Sequence, residues 1–159
     1  MPVLLFYCRS LDDQLYMKHL HGTAVALNGF GVLIRGPSGS GKSDLALRLI
    51  GGGAELIADD QVIIKVLGEK PHISAPAAIR GLIEVRGLGV VNIGAVNSTP
   101  LCLIVNLKLH ETIERMPEII YELCEGFNIA TIDMNAFTIS APEKIKMALG
   151  VQSGKVKMV

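Results

Sequence analysis

The sequence predicts an α/β fold in which a phosphate-binding loop is carried on a mixed, partly antiparallel sheet. Residues 31–50, GVLIRGPSGSGKSDLALRLI, pass from an apolar run through a glycine-rich turn into an amphipathic run. Just before them, Asn28-Gly29 separates two apolar runs, a strong hairpin signal that gives the loop-bearing strand an antiparallel neighbour. From the loop helix to residue 110 there is then a succession of strand-like runs and no long helical pattern. Phosphate-loop folds ordinarily alternate strand and helix about a parallel sheet, so consecutive strands point to a mixed one.

The glycine-rich turn is Gly36-Pro37-Ser38-Gly39-Ser40-Gly41-Lys42-Ser43, which fits G-x-x-x-x-G-K-[ST] at every fixed position. Glycine opens backbone conformations closed to residues with a Cβ, so successive N–H groups can turn inward around phosphate oxygens. A helix beginning near Lys42 adds the positive end of its dipole. Lys42 then reaches the β and γ phosphates, and the Ser43 hydroxyl suits Mg²⁺. Val32, Leu33 and Ile34 form the strand before the loop. Leu45, Ala46, Leu49 and Ile50 recur at helical spacing after it, and Gly51-Gly52-Gly53 stops the helix.

Taken in order, residues 1–20 give weak signals: a short strand at 4–7, and a helical stretch from a Ser10 cap to about Lys18. Strands are expected at 23–27 and 31–34, then at 54–58, ending in Asp59-Asp60. Further strands follow at 62–66, 72–74, 82–86, 90–96 and 101–107. Ile113, Met116, Ile119, Ile120, Leu123 and Cys124 fall at helical spacing and predict a core-facing helix closed by Gly126. Residues 127–134 read as a strand. Ser140-Ala141-Pro142-Glu143 carries a cap, an early proline and a capping-box glutamate, opening a helix to Leu149. Residues 151–159 read as a frayed tail. The whole, 1–159, is expected to be one domain.

Composition narrows the functional classes. Lys plus Arg equals Asp plus Glu at fifteen each, and no basic block appears, so nothing suggests nucleic-acid binding. Cys8, Cys102 and Cys124 are widely spaced and imply neither disulfides nor a zinc site; Cys102 and Cys124 are expected in the core. No long apolar segment marks a leader or a membrane span, so the expectation is a cytoplasmic protein with no membrane partner.

Beyond the loop, Asp59 and Asp60 end the strand that follows the loop helix. A carboxylate there can hold Mg²⁺ or take a proton from an attacking hydroxyl, and two neighbours on a strand point to opposite sides. Arg80, Glu84 and Arg86 lie in IRGLIEVRGLGVVN, with Glu84 and Arg86 on one strand face and Gly87 and Gly89 suggesting tight backbone passage. An acid for metal beside a guanidinium for phosphate suits phosphoryl transfer, while an exposed salt-bridged face reads equally well. His21 starts the hairpin strand, near one end of the loop-bearing strand. His19, His72 and His110 read as surface residues.

The segments HGTAVALNGFGVLIRGPSGSGKSDLALRLI, LIADDQV and GLIEVRGLGVVNIG together resemble the catalytic domain of HPr kinase/phosphorylase, strongly over about residues 21–107. That family phosphorylates a serine of the phosphocarrier protein HPr with ATP and reverses the reaction by phosphorolysis. The resemblance implies a phosphate-loop fold related to phosphoenolpyruvate carboxykinases, typically assembled as hexamers. It also implies that residues 36–43 bind ATP with Lys42 catalytic, that Ser43 and Glu84 hold Mg²⁺, and that His21 belongs to the active site. Asp60 would be the proton acceptor with Asp59 beside it, and Arg86 would act within residues 83–92. The family's R-P-G-R-N segment has no counterpart; Asn135-Ala136-Phe137-Thr138-Ile139-Ser140 stands where it would lie, which favours the kinase direction over phosphorolysis. With only some twenty residues before His21, the chain resembles the short forms of some proteobacteria. A small-molecule kinase of carboxykinase type and a non-catalytic ATP sensor are the rival readings.

Overall fold

The computed structural model describes residues 17–159. Among the described residues, eleven strands and two α-helices follow in order: β1 (Met17–His21), β2 (Thr23–Leu27), β3 (Phe30–Arg35), α1 (Lys42–Gly51), β4 (Glu55–Ala58), β5 (Gln61–Leu67), β6 (Lys70–Ser74), β7 (Leu82–Val85), β8 (Gly89–Asn92), β9 (Thr99–Leu107), β10 (Ile120–Cys124), β11 (Phe127–Met134) and α2 (Ala141–Gln152). Nine strands share one sheet, β1-β5-β6-β9-β3-β2-β4, with β11 and then β10 also joined through β9; β7 and β8 pair apart.

Strand β9 is the hinge of this sheet. Its first residues pair antiparallel with β6, whereas Leu103 to Leu107 pair parallel with β11. Its other edge runs parallel to β3. The carboxyl ends of β3, β9 and β11 therefore point the same way. Gly31 permits the close β3–β9 approach, since a Cβ there would stand 2.7 Å from the Pro100 carbonyl oxygen.

Both faces of the central strands are covered, and the alternation of side chains separates two cores. Val25, Val32, Ile34, Leu103 and Val105 face α1 and α2, meeting Leu45, Ala46, Leu49, Ile145 and Leu149. Ala24, Ala26, Leu33 and Ile104 face the other way, against Ile57, Val62, Ile64 and Ile73. Each fully buried aliphatic side chain contributes about 1.5–3 kcal/mol. Cys124 is buried and Cys102 half-buried, and burial pushes both thiols above their ordinary range.

The β2–β3 hairpin forms as expected. Asn28 and Gly29 take φ of 51° and 81°, the two left-handed residues of a tight turn whose twist matches the strands.

Four expectations are corrected. The stretch around 113–124 is not a helix: a short 3-10 turn at His110–Thr112 leads through a loop to β10, and Met116 and Leu123 are 85% and 71% exposed. Pro117 interrupts any helical ladder there, and Glu125-Gly126, at φ 48° and 87°, is the tight turn of a β10–β11 hairpin. At the carboxyl end, α2 continues to Gln152, and the N–H groups of Lys155 and Val156 return to the Gly150 carbonyl, so the stretch does not simply fray. Ser140 stands at the start of α2 without a side-chain capping bond. At the other end, the strand expected at 4–7 and the helical stretch before Met17 lie outside the described residues, while Met17 and Lys18 belong to β1.

Candidate functional site

The loop between β3 and α1 leaves its N–H groups available. Ser40 N–H bonds the Pro37 carbonyl at 3.1 Å, but those of Gly39, Gly41, Lys42 and Ser43 have no protein acceptor among the described residues. Gly39 and Gly41 are left-handed, at φ 78° and 93°. A Cβ on Gly41 would also meet Ala136 Cβ at 3.0 Å and the Phe137 ring at 3.1 Å. Lys42 Nζ donates to the carbonyls of Gly36 at 2.8 Å and Pro37 at 3.0 Å, folded over the loop it serves.

Asp59 is the hub beside the loop. Its Oδ1 accepts from Ser43 Oγ at 2.7 Å and Thr23 Oγ1 at 2.9 Å, and its Oδ2 accepts from Glu84 N–H at 3.0 Å. One buried carboxylate thereby ties α1, β2, β4 and β7 together. Asp60 turns away from this hub. It is exposed with φ of 70°, a region that Asp enters more readily than most residues. Its carbonyl accepts from Gly22 N–H at 3.0 Å, which fixes the bend. The left-handed bend at Asp60, and not strand alternation, gives the two acids separate surroundings on one cavity wall.

These groups share a cavity of about 660 Å³. Its wall includes Ser38, Gly39, Gly41, Lys42 and Ser43 from the loop, Asp59 and Asp60, and Glu84 and Arg86 from the β7–β8 ribbon. Leu82, Val85 and Val90 make its apolar side. Arg86 lies one residue beyond β7, in the turn, yet reaches the same cavity as Glu84. Gly87 and Gly89 take φ of 85° and 120° with open space where a Cβ would stand, so the need there is conformational, not close passage.

Five residues fall elsewhere, Pro37 among them. His21 is not on the cavity wall; it pairs across strands with Gln61, next to Asp60. Gly36 and Ser40 underlie the loop. Arg80 binds the Asn97 side chain on the surface.

Two functional candidates were not legible beforehand. Thr23 is fully buried, and a lone hydroxyl at the start of an apolar strand signals a partner of this kind. Phe137 lines the cavity too, with no sequence signal beyond its position after β11.

The donor set suits Mg²⁺, which keeps several waters and binds through one or two carboxylates plus substrate phosphates. Ser43, Asp59 and Glu84 supply a hydroxyl and two carboxylates, and no group of three or more His, Cys, Asp or Glu among the described residues forms a metal cage of its own. No described helix is long and apolar enough to cross a membrane.

The family model described as HPr Serine kinase C-terminal domain matches residues 14–146. An HPr kinase/phosphorylase of Exiguobacterium is 45% identical over 100 residues, covering 58% of this chain and 32% of that protein. One of Clostridium tetani is 46% identical over 84 residues, 52% and 28% of the two chains. The match spans about a third of the length of these curated relatives. Among solved structures, the Hpr(Ser) kinase/phosphatase from Coxiella burnetii superposes with a TM-score of 0.75 over 87% of this chain and 92% of that one, at 24% identity. That likeness is one of fold.

Proposed function

Because the chain belongs to the HPr serine kinase C-terminal domain family, we propose that it is an Mg²⁺- and ATP-dependent serine kinase whose acceptor is HPr or a related phosphocarrier protein. The observation that carries this reading is the meeting, in one cavity, of a loop of free N–H groups with Lys42 and two acids in different surroundings. The loop N–H groups and the α1 amino terminus take the phosphates, and Lys42 exchanges its carbonyl partners for phosphate oxygens. Ser43, Asp59 and Glu84 hold Mg²⁺, which when bound neutralises phosphate charge. Arg86 adds a guanidinium to the same wall.

Asp60, exposed at the cavity and free of the Asp59 hub, accepts the proton of the incoming serine hydroxyl. The serine oxygen then bonds the terminal phosphorus while the bond from that phosphorus to ADP breaks. Positioning and electrostatics supply most of the rate in such transfers. His21, beside Asp60 through the Gln61 pairing, belongs to the rim of the site and not to the phosphate cradle. The same reading carries a cytoplasmic location and assembly of copies, with neither nucleic acid nor membrane as partner.

The test is transfer of labelled phosphate from ATP to purified HPr, with Lys42→Ala and Asp60→Asn as controls. Label on an HPr serine, lost in both variants, supports the proposal. ATP turnover without labelled HPr supports a small-molecule acceptor, and binding without turnover supports a sensor. Phosphoserine-HPr with added phosphate, followed for pyrophosphate, tests the reverse direction.

A further inference from the structure

The phosphate loop has a second side. Opposite the acids lies a cleft of about 270 Å³, between the loop and the segments that follow β9 and β11. The two cavities share Ser38, Gly39 and Phe137, so the loop is a crest between them and the Phe137 ring stands at both mouths. We propose that this cleft seats the nucleobase of the nucleotide whose phosphates cross the loop, with Phe137 as the stacking surface. The inference rests on the phosphate-loop reading above and adds where the base lies.

Three observations favour it. First, ligands of open α/β sheets lie in the crevice outside the carboxyl ends of the parallel strands. The cleft sits at the carboxyl ends of β3, β9 and β11, which run parallel. Second, Phe137 is 67% exposed, on a backbone that is tied down. Arg48 of α1 donates to the carbonyls of Ala136 and Thr138, and Phe137 N–H donates to Asn135 Oδ1 at 2.9 Å. A large apolar ring held out in solvent on a braced turn is a prepared stacking platform.

Third, the lining has the character of a base pocket, apolar with a few polar groups. Leu107, Leu109 and Pro37 offer apolar surface. The amide nitrogen of Asn135 has no protein partner among the described residues, and the buried Ser40 Oγ has none either. The volume is below the usual ~300–1,000 Å³ of sites for whole drug-sized ligands, which fits part of a nucleotide.

The experiment compares Mg·ATP with inorganic tripolyphosphate, by calorimetry, on wild type, Phe137→Ala and Phe137→Trp. Phe137→Ala is expected to weaken ATP by about ten-fold and leave tripolyphosphate within about two-fold, while Phe137→Trp restores ATP binding. Equal loss of both ligands overturns the proposal, because the ring would then act by shaping the loop. Unchanged ATP affinity overturns it too, including the case in which only the KM for HPr rises and the ring is a partner contact. Wild type that binds neither ligand removes the phosphate-loop reading itself and the base site with it, whereas wild type that binds both isolates the question of the base.

Discussion

Ser43 Oγ donates to Asp59 Oδ1 at 2.7 Å, joining the first turn of α1 to the end of β4 across the mouth of the cavity. The pair places a hydroxyl and a carboxylate where an ion on the terminal phosphates could touch both. Ser43→Ala removes one donor and leaves Asp59 its bonds from Thr23 and Glu84. The Mg²⁺ concentration for half-maximal ATP binding should rise about ten-fold or more, with folding little changed. Asp59→Asn differs: its NH₂ would face either the Glu84 N–H, in place of Oδ2, or both hydroxyls at once, in place of Oδ1. That leaves a buried donor unpaired, at a cost of about 1–3 kcal/mol in a denaturant titration. An unchanged Mg²⁺ requirement in Ser43→Ala would remove Ser43 from the ion.

Asp60 should separate from Asp59 in kinetics. It makes none of the hub bonds and is exposed, so Asp60→Asn keeps the fold and the nucleotide affinity. Loss of a general base lowers kcat by about 10²–10⁴-fold. Single-turnover transfer with equilibrium ATP binding on the same sample checks this. If binding falls in parallel with kcat, Asp60 belongs to the nucleotide site instead.

The loop, its strand and its helix were legible because each constraint there is local: glycine spacing, a lysine and serine at fixed offsets, a 3.6-residue apolar stripe. The Asn28-Gly29 hairpin was legible for the same reason. The stretch 113–124 was not, because Ile120 and Leu123 at three-residue spacing satisfy a helical pattern while alternation about Glu122 satisfies an edge strand. Pro117 and the Glu125-Gly126 turn were the deciding signals, and apolar spacing outweighed them in the sequence. Asp59 was legible as an acid at a strand end. Its bonds to Thr23 and to the Glu84 backbone were not, since partners 36 and 25 residues away are set by sheet order. Phe137 owes its place to the β11 register and to Arg48, neither of which leaves a local mark.

Gly41 is the loop position where substitution should be most selective. It combines φ of 93° with contact distance to Ala136 and Phe137 for any added Cβ. The left-handed conformation alone costs an alanine about 1–2 kcal/mol. Gly41→Ala should therefore displace the loop or the 135–138 turn, abolishing measurable ATP binding while lowering the thermal midpoint by only a few degrees. Gly39→Ala has the same backbone cost and no steric one, since nothing lies near a Cβ there. It should keep part of the binding. Equal loss in both variants would show that conformation alone decides.

Glu122 should give the fold a pH dependence of known sign. Arg35, the residue before the loop, donates Nη1 and Nη2 to Glu122 at 2.8 and 2.6 Å and spreads Nε and Nη2 onto Asn106 Oδ1. The Arg35 hydrogen bonds are the main cause holding the Glu122 carboxyl below its ordinary range, ahead of the opposing desolvation. A carboxyl whose pKa is lower folded than unfolded contributes stability above the unfolded value and loses it as pH falls through the folded one. Glu122→Gln should thus destabilise the protein at pH 7, and the difference from wild type should shrink below the ordinary carboxylate range. The side chain is 42% exposed, so the effect is small and weakened by salt. Denaturant midpoints at pH 7 and in acid, each at low and high salt, measure it. A gap between Glu122→Gln and wild type that is the same at both pH values would mean that the fork onto Asn106 holds Arg35 without help from the charge on Glu122.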